Sequence, residues 1–225
     1  MLVHGAFADA SGYQRLIPIL QRDGYEALAV QIPLASLDGD VETTKRFLDG
    51  INGSIVLVGH SYGGAVITGA AAGNPKVKAL VYVAALAPDE GETVADVFTR
   101  GAPHPDAPKL APDAHGLMYL PEAAFPAAFA QNASKEELAV LAAVQRPISP
   151  ACITVRVGRP LWKDRPSWFL VAEQDRMIVA ENHRFMAARM KAHVRSHPVD
   201  HTPLVTAPST VVDIIREAIA EVAKG

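Results

Sequence analysis

The chain has 225 residues, of which 49% are hydrophobic and 20% are charged. Because a chain of this size and composition can bury one core, we expect a single domain over residues 1–225. Lysine and arginine number 21 against 24 acidic residues, without long runs of either sign, which argues against nucleic acid or a membrane surface as a partner. The only cysteine, Cys152, cannot form an internal disulfide, and this favours a reducing compartment such as the cytoplasm.

The chain carries no obvious targeting or membrane-spanning segment. Its apolar runs are too short to cross a bilayer, and no basic flank followed by an apolar core opens it. The first apolar run, LVH at residues 2–4, has almost nothing ahead of it. We expect either a sheet that is minimal at this edge or a natural start further upstream.

Short apolar runs alternate with helical patterns from the start of the chain. In order, these are LVH, the helical SGYQRLIPILQRDG, YEALAVQI, the helical DVETTKRFLDG, and SIVLVG. This alternation predicts a mostly parallel sheet covered by helices, an α/β architecture. Gly24 and Gly50 stand where helices should end. Further buried strands are predicted at KALVYVAA and SWFLVAE, a weaker last strand at AHVRSHPV, and a closing amphipathic helix in STVVDIIREAIAEVAKG.

The amino-acid composition changes between residues 88 and 166. APHPDAPKLAPDAHG is rich in proline, and the helical patterns after it are short and rich in alanine. Ser134 with Glu137 fits a capping box, so a helix should begin there and run through ELAVLAAV. We interpret residues 88–166 as a small helical insertion over the sheet, a cap, and not as a second domain.

The stretch GHSYGGAVITG, residues 59–69, follows the apolar run SIVLV and opens a helical pattern. A serine bracketed by glycines between a strand and a helix is typical of a tight, strained turn that projects the hydroxyl above the sheet edge. The glycines let neighbouring backbone pass close by. The helix that follows directs its first amides at Ser61, where a developing anion would be stabilised. Ser61 is therefore the predicted nucleophile.

A serine nucleophile needs a base, and the base needs a carboxylate that fixes its tautomer. Asp175 lies directly after the predicted strand SWFLV, and we predict that it is the acid. Asp89, after KALVYVAA, competes with it on the same kind of loop. His201, in the loop after the last predicted strand, is the predicted base, in preference to His197 four residues earlier.

Two backbone amides should bind the oxyanion. We predict the amide of Tyr62, the residue after the nucleophile, and that of Ala6 in LVHGAF.

Other histidines receive structural or surface roles. His4 and His60 should be structural hydrogen bonders, with His60 pointing down into the sheet. His183 and His193 fall within or just after a helical pattern, and we expect both to face solvent.

Together these motifs resemble the α/β-hydrolase superfamily, and more narrowly the small bacterial proteins related to plant methyl-ester esterases and hydroxynitrile lyases. The resemblance rests on LVHGAFADASGY, GHSYGG, DRMI and DHTPLVTAP, and it covers essentially the whole chain. It implies a three-layer α/β-hydrolase fold with a small helical cap. It also implies a triad of Ser61, Asp175 and His201, with oxyanion amides at Ala6 and Tyr62, in agreement with the assignment from the residues.

Two departures from neighbouring families narrow the chemistry. Hydroxynitrile lyases follow the catalytic histidine with a lysine, whereas Thr202 follows His201 here, which disfavours lyase chemistry. Haloalkane dehalogenases and epoxide hydrolases carry an aspartate at the elbow, and Ser61 argues against both.

We therefore predict a serine hydrolase that needs no cofactor or metal and cleaves small carboxylic esters through an acyl-enzyme. The expected partner is a small-molecule ester, and the protein should be a monomer or a homodimer. Phe7, Tyr119, Phe125 and Trp162 are candidates for the acyl or alcohol pocket, although core packing accounts for each equally well. The open alternatives are a hydrolase-fold ligand receptor with little turnover, a carbon–carbon hydrolase or lyase, and a perhydrolase.

Overall fold

The computed structural model describes residues 1–224; Gly225, the last residue of the final helical pattern, lies outside the described residues. Within residues 1–224, six strands form one parallel sheet in the order β2-β1-β3-β4-β5-β6. The strands are β1 (Leu2–Val3), β2 (Ala29–Val30), β3 (Ile55–His60), β4 (Val77–Val83), β5 (Ser167–Ala172) and β6 (His193–His197). Helices flank the sheet, so the predicted α/β class is confirmed.

The α-helices of the described chain are α1 (Ile17–Arg22), α2 (Leu37–Asp49), α3 (Gly63–Ala70), α4 (Val94–Phe98), α5 (Lys135–Ala143), α6 (Ala180–Met190), α7 (Pro203–Thr206) and α8 (Pro208–Val222). Short 3₁₀ helices lie at Ala10–Tyr13, Pro150–Cys152 and Leu161–Lys163, and a π-helical turn at Phe125–Phe129. Helix α3 packs on β3, α6 packs on β5, and α8 packs across β3, β4 and β5. No helix among residues 1–224 is both long and apolar enough to span a bilayer.

Strand burial explains how clearly each strand could be predicted. Every residue of β5 is buried, as are all residues of β4 except Lys78, so both strands are almost continuously apolar. Strand β6 lies at the edge and is largely exposed, which accounts for its weak apolar pattern. The pattern YEALAVQI yields only the two residues of β2, which pair with the two residues of β1.

Residues 88–166 join β4 to β5 and supply no strand to the described sheet. The predicted capping box is confirmed at the start of α5, where Ser134 Oγ accepts from the Glu137 amide and the Glu137 carboxylate accepts from the Ser134 amide. Isolated antiparallel bridges, Thr93 with Arg156 and Met118 with Ile148, tie distant parts of the segment together. That this segment acts as a cap within a single domain stays a prediction.

Candidate active site

Ser61 lies in a strained turn between β3 and α3. Its φ of 52° falls in the left-handed region that non-glycine residues rarely adopt. A Cβ on Gly59 would lie 2.6 Å from the Gly63 carbonyl oxygen, and one on Gly63 would lie 2.5 Å from the Val3 carbonyl oxygen, so neither position can hold a larger residue. The tight turn predicted from GHSYG is therefore present, with the hydroxyl of Ser61 at the carboxyl end of β3.

The structure brings the three predicted triad residues together. Ser61 Oγ lies 3.0 Å from His201 Nε2, and His201 Nδ1 lies 2.7 Å from Asp175 Oδ2. Asp175 follows β5 and His201 follows β6, so the ends of parallel strands deliver all three to one edge of the sheet. Both partners of Ser61 are buried. This is the spacing that lets an imidazole accept a proton from a serine hydroxyl.

The competing acid and base lie elsewhere. Asp89 pairs with Lys163 Nζ at 2.5 Å, near the surface. His197 is the last residue of β6, and its carbonyl oxygen accepts from the Glu173 amide. Of the two candidates weighed for each role, the structure therefore places Asp175 and His201 beside Ser61.

The buried carboxylate of Asp175 accepts hydrogen bonds from several donors. Its Oδ1 accepts from the amides of Met177 and Ile178, each at 2.8 Å, and its Oδ2 faces the His201 ring. Burial alone would raise the pKa of Asp175, but the adjacent His201 and the backbone donors outweigh burial and hold this pKa below its ordinary value. Because an ionised carboxylate can only accept, Nδ1 of His201 carries the proton and Nε2 turns its lone pair to Ser61.

His4 controls the direction of the predicted Ala6 amide. Its Nε2 accepts from the Ile32 amide at 3.1 Å, so the proton is on Nδ1, which donates to the Gly5 carbonyl oxygen at 2.9 Å. Burial lowers the pKa of His4 to about 4, in keeping with a neutral ring. Since the Gly5 carbonyl and the Ala6 N–H belong to one planar peptide unit, fixing the first also fixes the second.

Tyr62 is held by its side chain. Its hydroxyl donates to Asp40 Oδ2 at 2.7 Å, and both residues are buried. Burial, aided by the nearby Asp40, raises the pKa of Tyr62, so the phenol stays protonated as the donor. Within residues 1–224, the amides of Ala6 and Tyr62 donate to no other group of the chain. Both N–H groups are therefore available to a ligand oxygen.

The loop that carries His201 is fixed from several sides. His60 Nε2 donates to the His201 carbonyl oxygen at 2.7 Å, which fits the structural role predicted for His60. Asp200 Oδ1 accepts from the Thr202 amide, and the Thr202 hydroxyl donates to the Phe129 carbonyl oxygen. These bonds hold the imidazole in place without help from a substrate.

A cavity of about 230 Å³ opens beside Ser61 and His201. Residues 88–166 contribute the apolar wall Val94, Ala95, Phe98, Leu110, Met118, Phe129, Ile148 and Ile153, together with Thr99. The remaining lining comes from the sheet edge: Ala6, Phe7, Tyr62, Leu86, Met177 and Ile178. None of these side chains is charged, so the cavity suits an uncharged, mainly apolar group.

Of the four aromatic residues proposed for the pocket, only Phe7 lines this cavity. Tyr119 is 46% exposed. Phe125 is buried behind Phe129, with ring centroids 5.4 Å apart, and the Trp162 indole donates to the Pro88 carbonyl oxygen at 3.4 Å. These three side chains therefore belong to the surface or to the packing of the segment.

The aliphatic wall and the burial of one histidine could not be read from the motifs. On α4, Val94 and Phe98 are four residues apart and share a helix face, but the same spacing equally fits ordinary packing. His183 was expected to face solvent and is instead completely buried on α6, whereas His193 is exposed as expected. Within the described residues, no cluster of three or more His, Cys, Asp or Glu side chains could hold a metal ion.

A parallel sheet flanked by helices, with a serine on a strained turn and with an acid and a histidine after later strands, defines an α/β hydrolase. The chain belongs to the alpha/beta hydrolase family, whose sequence model matches residues 1–214. The family resemblance recognised in the motifs is thereby confirmed.

Three similar proteins extend this finding. The carbendazim-hydrolyzing esterase of Nocardioides sp. (strain SG-4G) is 32% identical over 116 residues, a match that covers 46% of this chain and 48% of that relative, or about half of its length. Polyneuridine aldehyde esterase superposes with a TM-score of 0.84 at 19% identity over 96% of both chains. A pyrethroid hydrolase from Sphingobium faniae JZ-2 superposes with a TM-score of 0.82 at 22% identity, over 96% of this chain and 94% of that one. At these identities the two structures show the shared fold.

Proposed function

We propose that the protein is a carboxylic ester hydrolase in which Ser61, His201 and Asp175 form a catalytic triad. The observation that carries the proposal is the continuous chain of contacts from Ser61 Oγ through His201 to Asp175 Oδ2 at the mouth of an apolar cavity. The names of the similar proteins, an esterase that hydrolyses carbendazim, an esterase and a pyrethroid hydrolase, support ester cleavage as the reaction.

The proposed reaction has two halves. Ser61 Oγ bonds to the ester carbonyl carbon while its proton moves to His201 Nε2, and the amides of Ala6 and Tyr62 bind the oxyanion. When the intermediate collapses, the carbon–oxygen bond to the alcohol breaks and the alcohol takes the proton from His201. Water then attacks the acyl-enzyme by the same route, which releases the carboxylic acid and restores the Ser61 hydroxyl.

Asp175 supports the charge that appears on His201 during both halves. The carboxylate stays ionised because the lowered pKa of Asp175 lies well below neutral pH. It therefore stabilises the imidazolium and keeps Nε2 aimed at Ser61.

The substrate is proposed to be a small, uncharged ester with an apolar acyl or alcohol group. A cavity of about 230 Å³ without a charged lining side chain would leave a substrate carboxylate or ammonium group without a partner. Residues 88–166 supply much of its wall, which supports their proposed role as a cap in a single-domain protein.

The test is hydrolysis of p-nitrophenyl esters from acetate to octanoate by the wild type and by Ser61→Ala. We expect sustained turnover by the wild type and a loss on the order of 10⁴-fold or more in Ser61→Ala with the fold intact. Turnover near the wild-type rate in Ser61→Ala would remove Ser61 as the nucleophile. A burst followed by negligible turnover in the wild type would favour a ligand receptor.

A matched pair of histidine variants checks the base. His201→Ala should lose nearly as much activity as Ser61→Ala, because the hydroxyl then lacks a proton acceptor. His197→Ala, at the end of β6, should retain most activity. The reverse result would transfer the role of base to His197.

A further inference from the structure

The side chain of His183, on α6, is completely buried beside the proposed triad and has no evident partner. Its Nε2 lies 3.5 Å from Asp175 Oδ2, the same oxygen that faces His201 Nδ1 at 2.7 Å. Within the described chain, neither ring nitrogen of His183 makes a hydrogen bond. An unpaired buried polar group costs free energy, and a hydrophobic residue of similar size would avoid that cost. The position of this imidazole therefore calls for an explanation.

The surroundings determine the protonation state of His183. Burial lowers its pKa to about 4, although the facing Asp175 carboxylate opposes that change, so the ring is neutral at neutral pH. The other charged or titratable groups that act on it electrostatically are His201, Glu173 and Arg184, and its ring also packs against Phe169 with centroids 5.7 Å apart. A neutral imidazole has one N–H donor and one acceptor nitrogen.

The acceptor sites of Asp175 point to the tautomer. A carboxylate offers about four acceptor positions, and three are used by Met177 N, Ile178 N and His201 Nδ1. The remaining position is on Oδ2, and His183 Nε2 lies 3.5 Å from that oxygen. Because a carboxylate oxygen can only accept, a proton on Nε2 makes this contact attractive, whereas a lone pair there would make it repulsive.

We propose that His183 is a positioning residue whose Nε2–H donates to Asp175 Oδ2 and thereby locks the carboxylate in the orientation that holds His201. This inference rests on the proposed function, in which Asp175 orients the base. The present 3.5 Å separation is longer than an ordinary hydrogen bond, and catalytic contacts commonly tighten once substrate is bound. His183 contacts neither substrate nor Ser61 in this arrangement; it acts through Asp175.

The contact also affects catalysis through Asp175. Without the His183 donor the carboxylate can turn away from His201 Nδ1, so the imidazole is less often aligned with Ser61 and kcat falls. KM stays nearly the same because His183 does not contact the substrate. A residue that only fills space would change the stability of the fold and leave kcat where it is.

Three variants separate the two roles: His183→Leu removes the donor, His183→Gln keeps an N–H near the position of Nε2, and exposed His193→Leu is the matched control. We would measure kcat and KM separately for p-nitrophenyl acetate at pH 7. His183→Leu should lower kcat on the order of tenfold, with KM nearly unchanged. His183→Gln should recover most of the lost kcat, and His193→Leu should keep the wild-type value. Equal losses of kcat in His183→Leu and His183→Gln, or an unchanged kcat in His183→Leu, would overturn the proposal.

A measurement on the wild type avoids any dependence on whether the variants fold. The ¹⁵N shifts of the His183 ring at pH 7 should show a proton on Nε2 and a bare Nδ1, and the opposite tautomer would overturn the proposal. This readout needs no turnover. If the wild type lacked Ser61-dependent esterase activity, the proposed function would fail while the tautomer would still test the contact with Asp175.

Discussion

The carboxyl edge of the sheet and the segment of residues 88–166 meet at one cavity, but they are built in different ways. At the edge, Ser61, Asp175 and His201 are buried polar groups, each held by close contacts to backbone or to one another. The segment contributes short helices and an apolar wall without a charged side chain. The edge therefore has to keep the distances between the reacting atoms within tenths of an ångström. The wall only has to exclude water and fit the shape of a substrate group. We expect the two regions to respond to substitution in different ways.

The largest contrast should come from two aspartates, one in each region. Asp175→Asn removes the charge that stabilises the His201 imidazolium and permits the wrong tautomer, so kcat should fall on the order of 10⁴-fold. Asp89→Asn removes only a partly exposed ion pair with Lys163, and kcat should stay within about twofold. Steady-state kinetics with p-nitrophenyl acetate measures both. A large loss in Asp89→Asn with a small one in Asp175→Asn would reverse the assignment of the acid.

The same contrast explains what could be predicted from the sequence. The edge was predictable because its elements carry local signals: glycines that a close backbone approach requires at Gly59 and Gly63, and polar residues directly after apolar strands. The three triad candidates therefore came from these local signals together with chain order. Their mutual distances depend on the twist and register of the sheet, which no local pattern encodes.

The wall of the cavity could not be predicted in this way. Its residues come from separate parts of residues 88–166, and an aliphatic side chain that lines a cavity looks the same in sequence as one that packs in a core. The preference for aromatic residues selected Tyr119, which lies at the surface, and Trp162, which packs within the segment.

His183 was misjudged although a signal was present. It is spaced three, four and seven residues before Met186, Ala187 and Met190, all of which are buried on α6. That spacing describes the inner face of a helix, so periodicity favours a buried His183. The prediction placed His183 on a helix without applying this periodicity to it, and the tertiary structure supplies a carboxylate for it to face.

The buried histidines near the sheet edge should make the free energy of unfolding depend on pH in mild acid. Burial lowers the pKa of His4 to about 4, of His60 to about 3 and of His183 to about 4, against about 6.5 in an unfolded chain. Below pH 6.5 the unfolded state therefore binds more protons than the folded state, so the free energy of unfolding falls as the pH falls. Each histidine contributes up to about 1.4 kcal/mol per pH unit over this range. All three side chains lie at or beneath the sheet edge.

Urea denaturation at pH 7 and at pH 5 measures this loss. Asp40 acts in the opposite direction, because burial raises the pKa of its carboxyl, so the informative quantity is the difference between variants. His60→Gln should reduce the loss between the two pH values, whereas His115→Gln, at an exposed position in the segment, should leave it unchanged. Equal losses in His60→Gln and wild type would show that the buried histidines do not govern acid stability.

The smallest effect should come from the wall itself. Leu110 lines the cavity from residues 88–166, and Leu110→Ala enlarges the space beside Ser61 without touching the triad. The ratio of kcat/KM for p-nitrophenyl octanoate to that for acetate should rise a few-fold, on the order of one or two buried methylene groups. Leu138→Ala is the matched control, since Leu138 lies on α5 away from the cavity.

Acetate is the substrate that decides whether the two regions are separable. Its acyl group is too small to reach far into the cavity, so kcat for acetate in Leu110→Ala should remain within about twofold of the wild-type value. A fall in kcat for acetate as large as that of Asp175→Asn would mean that the segment holds the reacting groups in place as well as enclosing them. The wall would then need the same precision as the sheet edge, and substitutions in residues 88–166 would change rate and specificity together.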